Sequence, residues 1–151
     1  MLVIASDHGG LELKDQIKGL LQEKGVPCED LGTCDGSSVD YPDFGQLVAR
    51  RVSEGKAELG ILVCGTGIGM SIVANKFPGV RAALATDVFM ATMAKEHNNA
   101  NILVLGGRVI DAASARAMVS AWLDTEFAGG RHQARLDKIT ALETEIKLQA
   151  V

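Results

Sequence analysis

The sequence predicts a three-layer, doubly wound α/β fold: a five-stranded parallel sheet with helices on both faces, and a C-terminal helix that packs on a neighbouring subunit. Five short aliphatic or β-branched runs occur at Leu2–Ala5, Val26–Leu31, Leu59–Val63, Val80–Ala85 and Ile102–Leu105, separated by amphipathic stretches. Four of the five are apolar almost without interruption, as strands covered on both faces must be. The chain has 151 residues, 47% of them hydrophobic, enough for one domain over residues 1–151 with a substantial core.

Between the first two strands, Leu13, Ile17, Leu20 and Leu21 repeat at helical spacing. The second run is the most polar, and Pro27 marks it as an edge strand. Pro42 starts the next helix, in which Phe44, Leu47, Val48 and Val52 form the apolar stripe. The third strand runs through a glycine-rich turn into the helical run Ser71–Phe77. Val88, Phe89, Met93 and Ala94 define the helix after the fourth strand, and Ala115, Met118, Val119 and Trp122 the helix after the fifth. The last segment, Arg131–Val151, follows a Gly129-Gly130 break and places Leu136, Ile139, Leu142 and Ile146 on one face. The segment is expected to form a terminal helix that packs on a neighbour, either within the chain or in a second subunit.

Strand and helix alternate throughout, and right-handed crossovers are the common way to join parallel neighbours. In such Rossmann-like sheets, ligands sit beyond the carboxyl ends of the strands where the strand order reverses. That rule directs attention to Ser6–Gly10, Cys64–Gly69 and the end of the fifth strand.

The bulk numbers exclude several function classes. A formal net charge of -4 is the wrong balance for a nucleic-acid surface, which needs clustered cations. No run approaches the ~18 apolar residues of a membrane span, and Met1 leads directly into Leu-Val-Ile-Ala without a basic leader, so a cytoplasmic protein is expected. Cys28, Cys34 and Cys64 are too few and too scattered for a disulfide framework or a zinc pair and are expected as reduced thiols. No zinc or other metal site is expected, because no two histidines stand at i, i+4 spacing with a carboxylate partner.

The richest segment is Ile61-Leu62-Val63-Cys64-Gly65-Thr66-Gly67-Ile68-Gly69-Met70-Ser71. Glycines at alternate positions let backbone N–H groups converge on an anion where a helix begins. A dinucleotide fingerprint requires its third glycine where Met70 stands, and a Walker-type phosphate loop requires a Gly-Lys-Ser/Thr ending. A cysteine phosphatase requires an arginine at position 70 to grip the phosphate. What remains is a thiol beside several backbone donors, the pairing required to abstract a proton next to a carbonyl and to hold the resulting enediolate. The same residues also suit a small buried side chain followed by a turn.

Three further segments carry polar chemistry. Ser6-Asp7-His8-Gly9-Gly10 follows the first strand, where Asp7 either meets a ligand or caps the next helix. Glu96-His97-Asn98-Asn99-Ala100-Asn101 closes a helix, and His97 is either a proton donor to a sugar ring oxygen or a satisfied helix end. In Gly129-Gly130-Arg131-His132-Gln133-Ala134-Arg135, the two arginines stand four apart and share a helix face, so they either grip one phosphate or form a solvated turn. Arg108, after Gly106-Gly107, is a further candidate for the same pocket.

Together these segments resemble the ribose-5-phosphate isomerase B family, which also contains galactose-6-phosphate and allose-6-phosphate isomerases. The resemblance spans nearly the whole chain and is carried by Ser-Asp-His-Gly-Gly at 6–10, Asp-Tyr-Pro-Asp at 40–43, Cys-Gly-Thr-Gly-Ile-Gly at 64–69, Ala-Asn-Lys at 74–76, His-Asn at 97–98, Gly-Gly-Arg at 106–108 and Gly-Gly-Arg-His-Gln-Ala-Arg at 129–135.

The resemblance implies a cofactor-free aldose–ketose isomerase of pentose phosphate metabolism, with D-ribose 5-phosphate and D-ribulose 5-phosphate as substrates. By it, Cys64 is the base between C1 and C2, His97 opens the furanose ring, and Thr66 assists transfer between the hydroxyl oxygens. Backbone donors from Gly65, Thr66, Gly67, Ile68 and Gly69 hold the enediolate. Asp7, His8 and Asn98 bind the sugar, while Arg108, Arg131 and Arg135 engage the substrate and its phosphate. The terminal arginines reach the other subunit's site, which implies a homodimer or a dimer of dimers. One branch of the family replaces the cysteine by an acidic base just after the glycine loop; Met70 there puts this chain in the cysteine branch. Cys34 follows Gly32-Thr33 where an aromatic residue is frequent in the family, which leaves sugar length open. The rivals are a six-carbon phosphate substrate, a sugar-phosphate-binding regulator without turnover, and a nucleotide-binding module.

Overall fold

The computed structural model describes all residues from Met1 to Val151. Strand β1 (Leu2–Ser6) leads through a short 3-10 turn, His8–Gly10, into α1 (Leu11–Glu23). There follow β2 (Cys28–Asp30), α2 (Tyr41–Ser53), β3 (Leu59–Cys64), α3 (Ile68–Ala74), β4 (Ala82–Leu84), α4 (Val88–Glu96), β5 (Ile102–Gly106), α5 (Ala112–Asp124) and α6 (Arg131–Gln149). The five strands form one sheet in the order β2-β1-β3-β5-β4, and every pairing is parallel.

Each central strand divides its side chains between two cores, which explains its uninterrupted apolar run. Leu2 and Ile4 of β1, Ile61 and Val63 of β3, and Leu103 and Leu105 of β5 join Leu13, Ile17, Met118 and Trp122 under α1 and α5. Val3 and Ala5, Leu62 and Cys64, and Ile102 and Val104 meet Val48, Ala49, Val52 and Met70 under α2 and α3. The indole N–H of Trp122 donates to the Ala100 carbonyl at 3.2 Å, so the largest buried side chain leaves no unpaired donor.

The edges differ from the centre. Strand β2 is three residues long, and Pro27, which has no N–H to donate, lies just before it. The fourth run in the sequence takes the opposite edge while β5 moves inside, so Ala82–Leu84 are only half-buried.

Two apolar stripes depart from the sequence reading. In α4 the core contacts are Ala91 and Ala94, while Val88 and Phe89 are exposed, Phe89 at 71%. In α2 the core face is Gly45, Val48, Ala49 and Val52, and Leu47 points outward. On α6 only His132 and Leu136 are buried within the chain; Ile139, Leu142 and Ile146 are exposed.

One buried charge lies beneath the sheet's carboxyl end. Lys14 is 1% exposed, and its ammonium contacts both carboxylate oxygens of Asp30, at 3.0 and 2.9 Å, and the Thr33 carbonyl at 2.5 Å. Burial alone raises the Asp30 carboxyl, but hydrogen bonds from Lys18, the Gly32 N–H and Lys14 outweigh it and hold the group below its usual range. Breaking such a pair costs most when it leaves a charge buried alone. Asp30→Asn is therefore expected to cost about 3 kcal/mol. Lys14→Met removes the charge itself and is expected to cost about 1–2 kcal/mol, largely for the Thr33 carbonyl left without a donor. Urea midpoints at neutral pH test the order. Because the folded Asp30 carboxyl is depressed, its contribution is present above the unfolded value of ~3.9 and lost as pH falls through the folded one. The difference between wild type and Asp30→Asn should therefore shrink in acid.

Candidate active site

The chain runs outward from β1 to β2 on one side and from β3 to β5 and β4 on the other, so the strand order reverses between β1 and β3. The crevice beyond their carboxyl ends is where ligands bind in such sheets. Ser6–Gly10 and Cys64–Gly69 emerge there side by side, since Ser6 pairs with Val63 and the Asp7 N–H donates to the Val63 carbonyl at 3.3 Å.

The loop after β5 is tied to the same place. The Gly107 N–H donates to the Cys64 carbonyl at 2.7 Å and the Arg108 N–H to the Gly65 carbonyl at 2.9 Å. A methyl group built on Gly9 would stand 3.3 Å from the Gly65 nitrogen, 3.4 Å from Arg108 Nη2 and 3.4 Å from Asp7 Oδ1. The ends of three strands thus converge on one point, with a carboxylate and a guanidinium facing it.

Within this cluster Cys64 is 5% exposed and its Sγ accepts the Gly67 N–H at 3.2 Å, a donor that a thiolate accepts more strongly than a thiol. The contact requires Gly67 at φ +82°, and a Cβ there would meet Leu84 Cδ1 at 2.5 Å. No L side chain fits that corner. The exposed Thr66 turns its Oγ1 to the Ile68 N–H at 3.3 Å. The N–H groups of Gly69 and Met70 stand in the first turn of α3, where helical N–H groups lack intrahelical partners. The glycine-rich turn therefore aims one backbone donor at the sulfur where α3 begins.

The other cysteines differ. Burial first, and then Asp30, pushes the Cys28 thiol up to about 11, and Cys34 is exposed on a loop.

Asp7 is buried and its Oδ1 accepts the Gly10 N–H at 3.2 Å, so it caps the turn while standing beside the crevice. His8 Nδ1 accepts the Val39 N–H at 3.2 Å, which leaves Nε2 as the proton-bearing nitrogen. One residue was missed by sequence reasoning. The ring of Tyr41 packs on Gly69 so closely that a Cβ there would lie 2.6 Å from its Cζ. The chain's single tyrosine, it stood in the Asp-Tyr-Pro-Asp motif at 40–43 but was assigned no role there.

The remaining candidates stand elsewhere. Helix α4 runs back along the sheet, so His97 and Asn98 lie at its amino-terminal end, just before β5. Five strand residues separate the two levels, about 16 Å at ~3.3 Å per residue. Arg131 and Arg135 open α6 at that same lower end, where the Ala128 N–H donates to the Glu96 carbonyl at 3.0 Å. The rings of His97 and His132 stack with centroids 4.1 Å apart and planes 12° apart. Burial first, then His97, Arg131 and Arg135, lowers the His132 pKa.

One chain therefore holds two constellations. Asp7, His8, Cys64, Gly65–Gly69 and Arg108 share the upper end, and His97, Asn98, Arg131 and Arg135 the lower. Arg108 does not share a pocket with Arg131 and Arg135 inside one chain. Beside the lower group lies an apolar groove of about 500 Å³ along the β4 edge, lined by Phe89, Met90, Met93, Asn98, Leu136 and Ile139 among others.

Comparison with known proteins points the same way. A family model described as Ribose/Galactose Isomerase matches residues 2–139. The Escherichia coli (strain K12) protein named Ribose-5-phosphate isomerase B is 42% identical over 142 residues, covering 94% of this chain and 95% of its own. The Clostridium thermocellum ribose-5-phosphate isomerase B structure superposes with TM-score 0.94 at 50% identity, over 96% of this chain and 98% of that one. The structure of the Mycoplasma genitalium enzyme with bound ribulose-5-phosphate gives TM-score 0.92 at 44% identity, over 95% and 96% of the two chains. With a family match over most of its length and a thiol seated at the sheet's switch point, the chain belongs to the ribose/galactose isomerase family.

Proposed function

We propose that this protein interconverts D-ribose 5-phosphate and D-ribulose 5-phosphate by proton transfer through an enediolate. The observation that carries the reading is Cys64 Sγ held by the Gly67 N–H, at the strand-order reversal, among the helix-opening donors of α3.

In this reading the Cys64 thiolate takes the C2 proton of the open-chain aldose and returns it to C1. Negative charge moves to the carbonyl oxygen as the proton leaves, and backbone N–H groups of the Gly65–Gly69 loop receive it. Thr66 passes the hydroxyl proton between O1 and O2. Asp7, His8 and Arg108 surround the sugar, and His8 donates through Nε2. The bound ribulose-5-phosphate of the Mycoplasma genitalium relative supports this substrate class.

Ring opening and phosphate binding fall to the lower group, His97, Asn98, Arg131 and Arg135, supplied to each Cys64 by a second copy of the chain. The lower group lies a strand's length, about 16 Å at ~3.3 Å per residue, from the thiol of its own chain, which favours completion of the set by a partner. Phe89 and Ile139, both exposed and apolar, line the groove beside Asn98 and fit a surface covered by that copy. The unit is then a homodimer or a dimer of dimers. No helix is long and apolar enough to cross a membrane, and an unlinked trio of cysteines suits the reducing cytoplasm.

Purified protein in excess chelator should convert ribose 5-phosphate to ribulose 5-phosphate, and Cys64→Ala should lower kcat roughly 10²- to 10⁴-fold with an unchanged circular dichroism spectrum. Wild-type protein that turns over six-carbon phosphates at higher kcat/KM would move the substrate, and one inactive on all of them would replace the enzyme by a binding protein. The shared site has its own test. Cys64→Ala and His97→Ala chains, each inactive alone, are expected to regain about a quarter of wild-type activity when co-expressed, because half the dimers are mixed and hold one complete site of two. Failure to complement would confine the catalytic set to a single chain.

A further inference from the structure

Arg81 lies just before β4 and is half-buried, yet the hydrogen-bond partners of its guanidinium are all carbonyl oxygens. Its Nε donates to the carbonyls of Asn98 and Asn99, both at 3.1 Å, and Nη2 to that of Asn99 at 2.9 Å. Nη1 reaches the Gly79 carbonyl at 3.5 Å. A charged group aimed at a turn of peptide oxygens, rather than at a carboxylate, fixes backbone geometry.

That turn is unusual in two respects. Asn99, at φ +44°, is the one non-glycine residue of the chain with positive φ. It follows directly on His97, the C-cap of α4, and Asn98. The Ala100 N–H closes the helix end on the Ala94 carbonyl at 2.8 Å, which turns the carbonyls of Asn98 and Asn99 away from the helix and toward Arg81.

The same node reaches α6. The Gly79 N–H donates to both carboxylate oxygens of Glu143, at 2.9 and 3.0 Å, and the Asn101 side chain joins the Gly79 carbonyl to the Arg81 N–H at 2.9 and 2.8 Å. Arg81 therefore stands where the segment bearing His97 and Asn98 is locked to the helix bearing His132, Arg131 and Arg135.

We propose that Arg81 is a positioning residue for ring opening: its guanidinium fork, through the carbonyls of Asn98 and Asn99, sets the angle at which His97 is presented to the furanose oxygen. The inference rests on the isomerase reading above. Lysine does not replace it, since an ammonium is a point donor that cannot span two successive carbonyls and a third.

The test separates ring opening from proton abstraction. Ribose 5-phosphate is a closed furanose and must be opened. Ribulose 5-phosphate has its C5 oxygen esterified, cannot close a five-membered ring onto C2, and is already open. In deuterium oxide its C1 hydrogen exchanges through the enediolate with Cys64 alone.

In Arg81→Met, kcat on ribose 5-phosphate is expected to fall roughly 10- to 100-fold, the usual cost of a reacting group misplaced by about 1 Å. Exchange at C1 of saturating ribulose 5-phosphate should stay close to the wild-type rate. Arg81→Lys should show the same split to a lesser degree and carries the test if the methionine variant does not fold; His97→Ala is the reference for the pattern. An equal loss of both rates, or no loss of either, overturns the positioning role. A wild-type protein inactive on ribose 5-phosphate instead overturns the isomerase reading on which it rests.

Discussion

The parallel pairing of β1 with β3 is the constraint on which the site depends. It runs in register from Leu2 against Leu59 to Ser6 against Val63, so the two strands end together and their following loops leave the sheet at one level. A slip by one residue would reverse which faces hold Leu62 and Cys64. Cys64 would then leave the α2 and α3 side for the opposite core, and the Gly67 N–H would lose its sulfur. The cores enforce the register, because Ile61 and Val63 fill one and Leu62 and Cys64 the other. Packing of ordinary aliphatic residues thus fixes the position of the Cys64 thiol.

The loop that covers the β1 end is held from beneath. Lys14 draws in the Thr33 carbonyl and Asp30, and Asp30 accepts the Gly32 N–H at 2.9 Å. Gly32 itself admits no side chain, since a Cβ there would stand 2.5 Å from the Ser6 nitrogen. The loop then returns to give the Val39 N–H to His8 Nδ1. A buried charge that contributes little net stability as an ion pair still specifies one loop path, and with it which nitrogen of His8 carries the proton.

Much of this was legible in the sequence. Strand positions followed from runs apolar on both faces, and Leu13, Ile17, Leu20 and Leu21 of α1 and Ala115, Met118, Val119 and Trp122 of α5 are buried as their spacing predicts. The glycine turn after Cys64 was legible because only a crowded corner needs so many residues without side chains. The place of β4 at the edge was not, since local pattern does not say which strands pair. The misread face of α4 follows from it: beside an edge strand, small alanines suffice for the core and the larger Phe89 stays outside. Lys14 was illegible for a different reason, because lysine in an amphipathic helix reads as solvent-facing unless its carboxylate partner is known to be near.

The two constellations are held in place by different means. Cys64 and the donors around it are fixed by strand ends and by glycine turns that admit no other geometry, so they form a rigid half. His97 stands on a helix end whose closing turn holds a residue at positive φ, and Arg131 and Arg135 stand on the exposed first turns of α6. Those groups have no sheet beneath them. What fixes them is a polar node built from Arg81, Asn101, the Gly79 peptide and Glu143, together with the stacked rings of His97 and His132. A half supported by hydrogen bonds can adjust by small angles where a half supported by packing cannot. In the proposed reaction the thiol that would take the carbon-bound proton stands on the packed half and the acid that would open the ring on the hydrogen-bonded half, so the tightest geometry falls where a carbon–hydrogen bond would break. The more adjustable geometry falls where, in that reaction, a closed substrate would be opened.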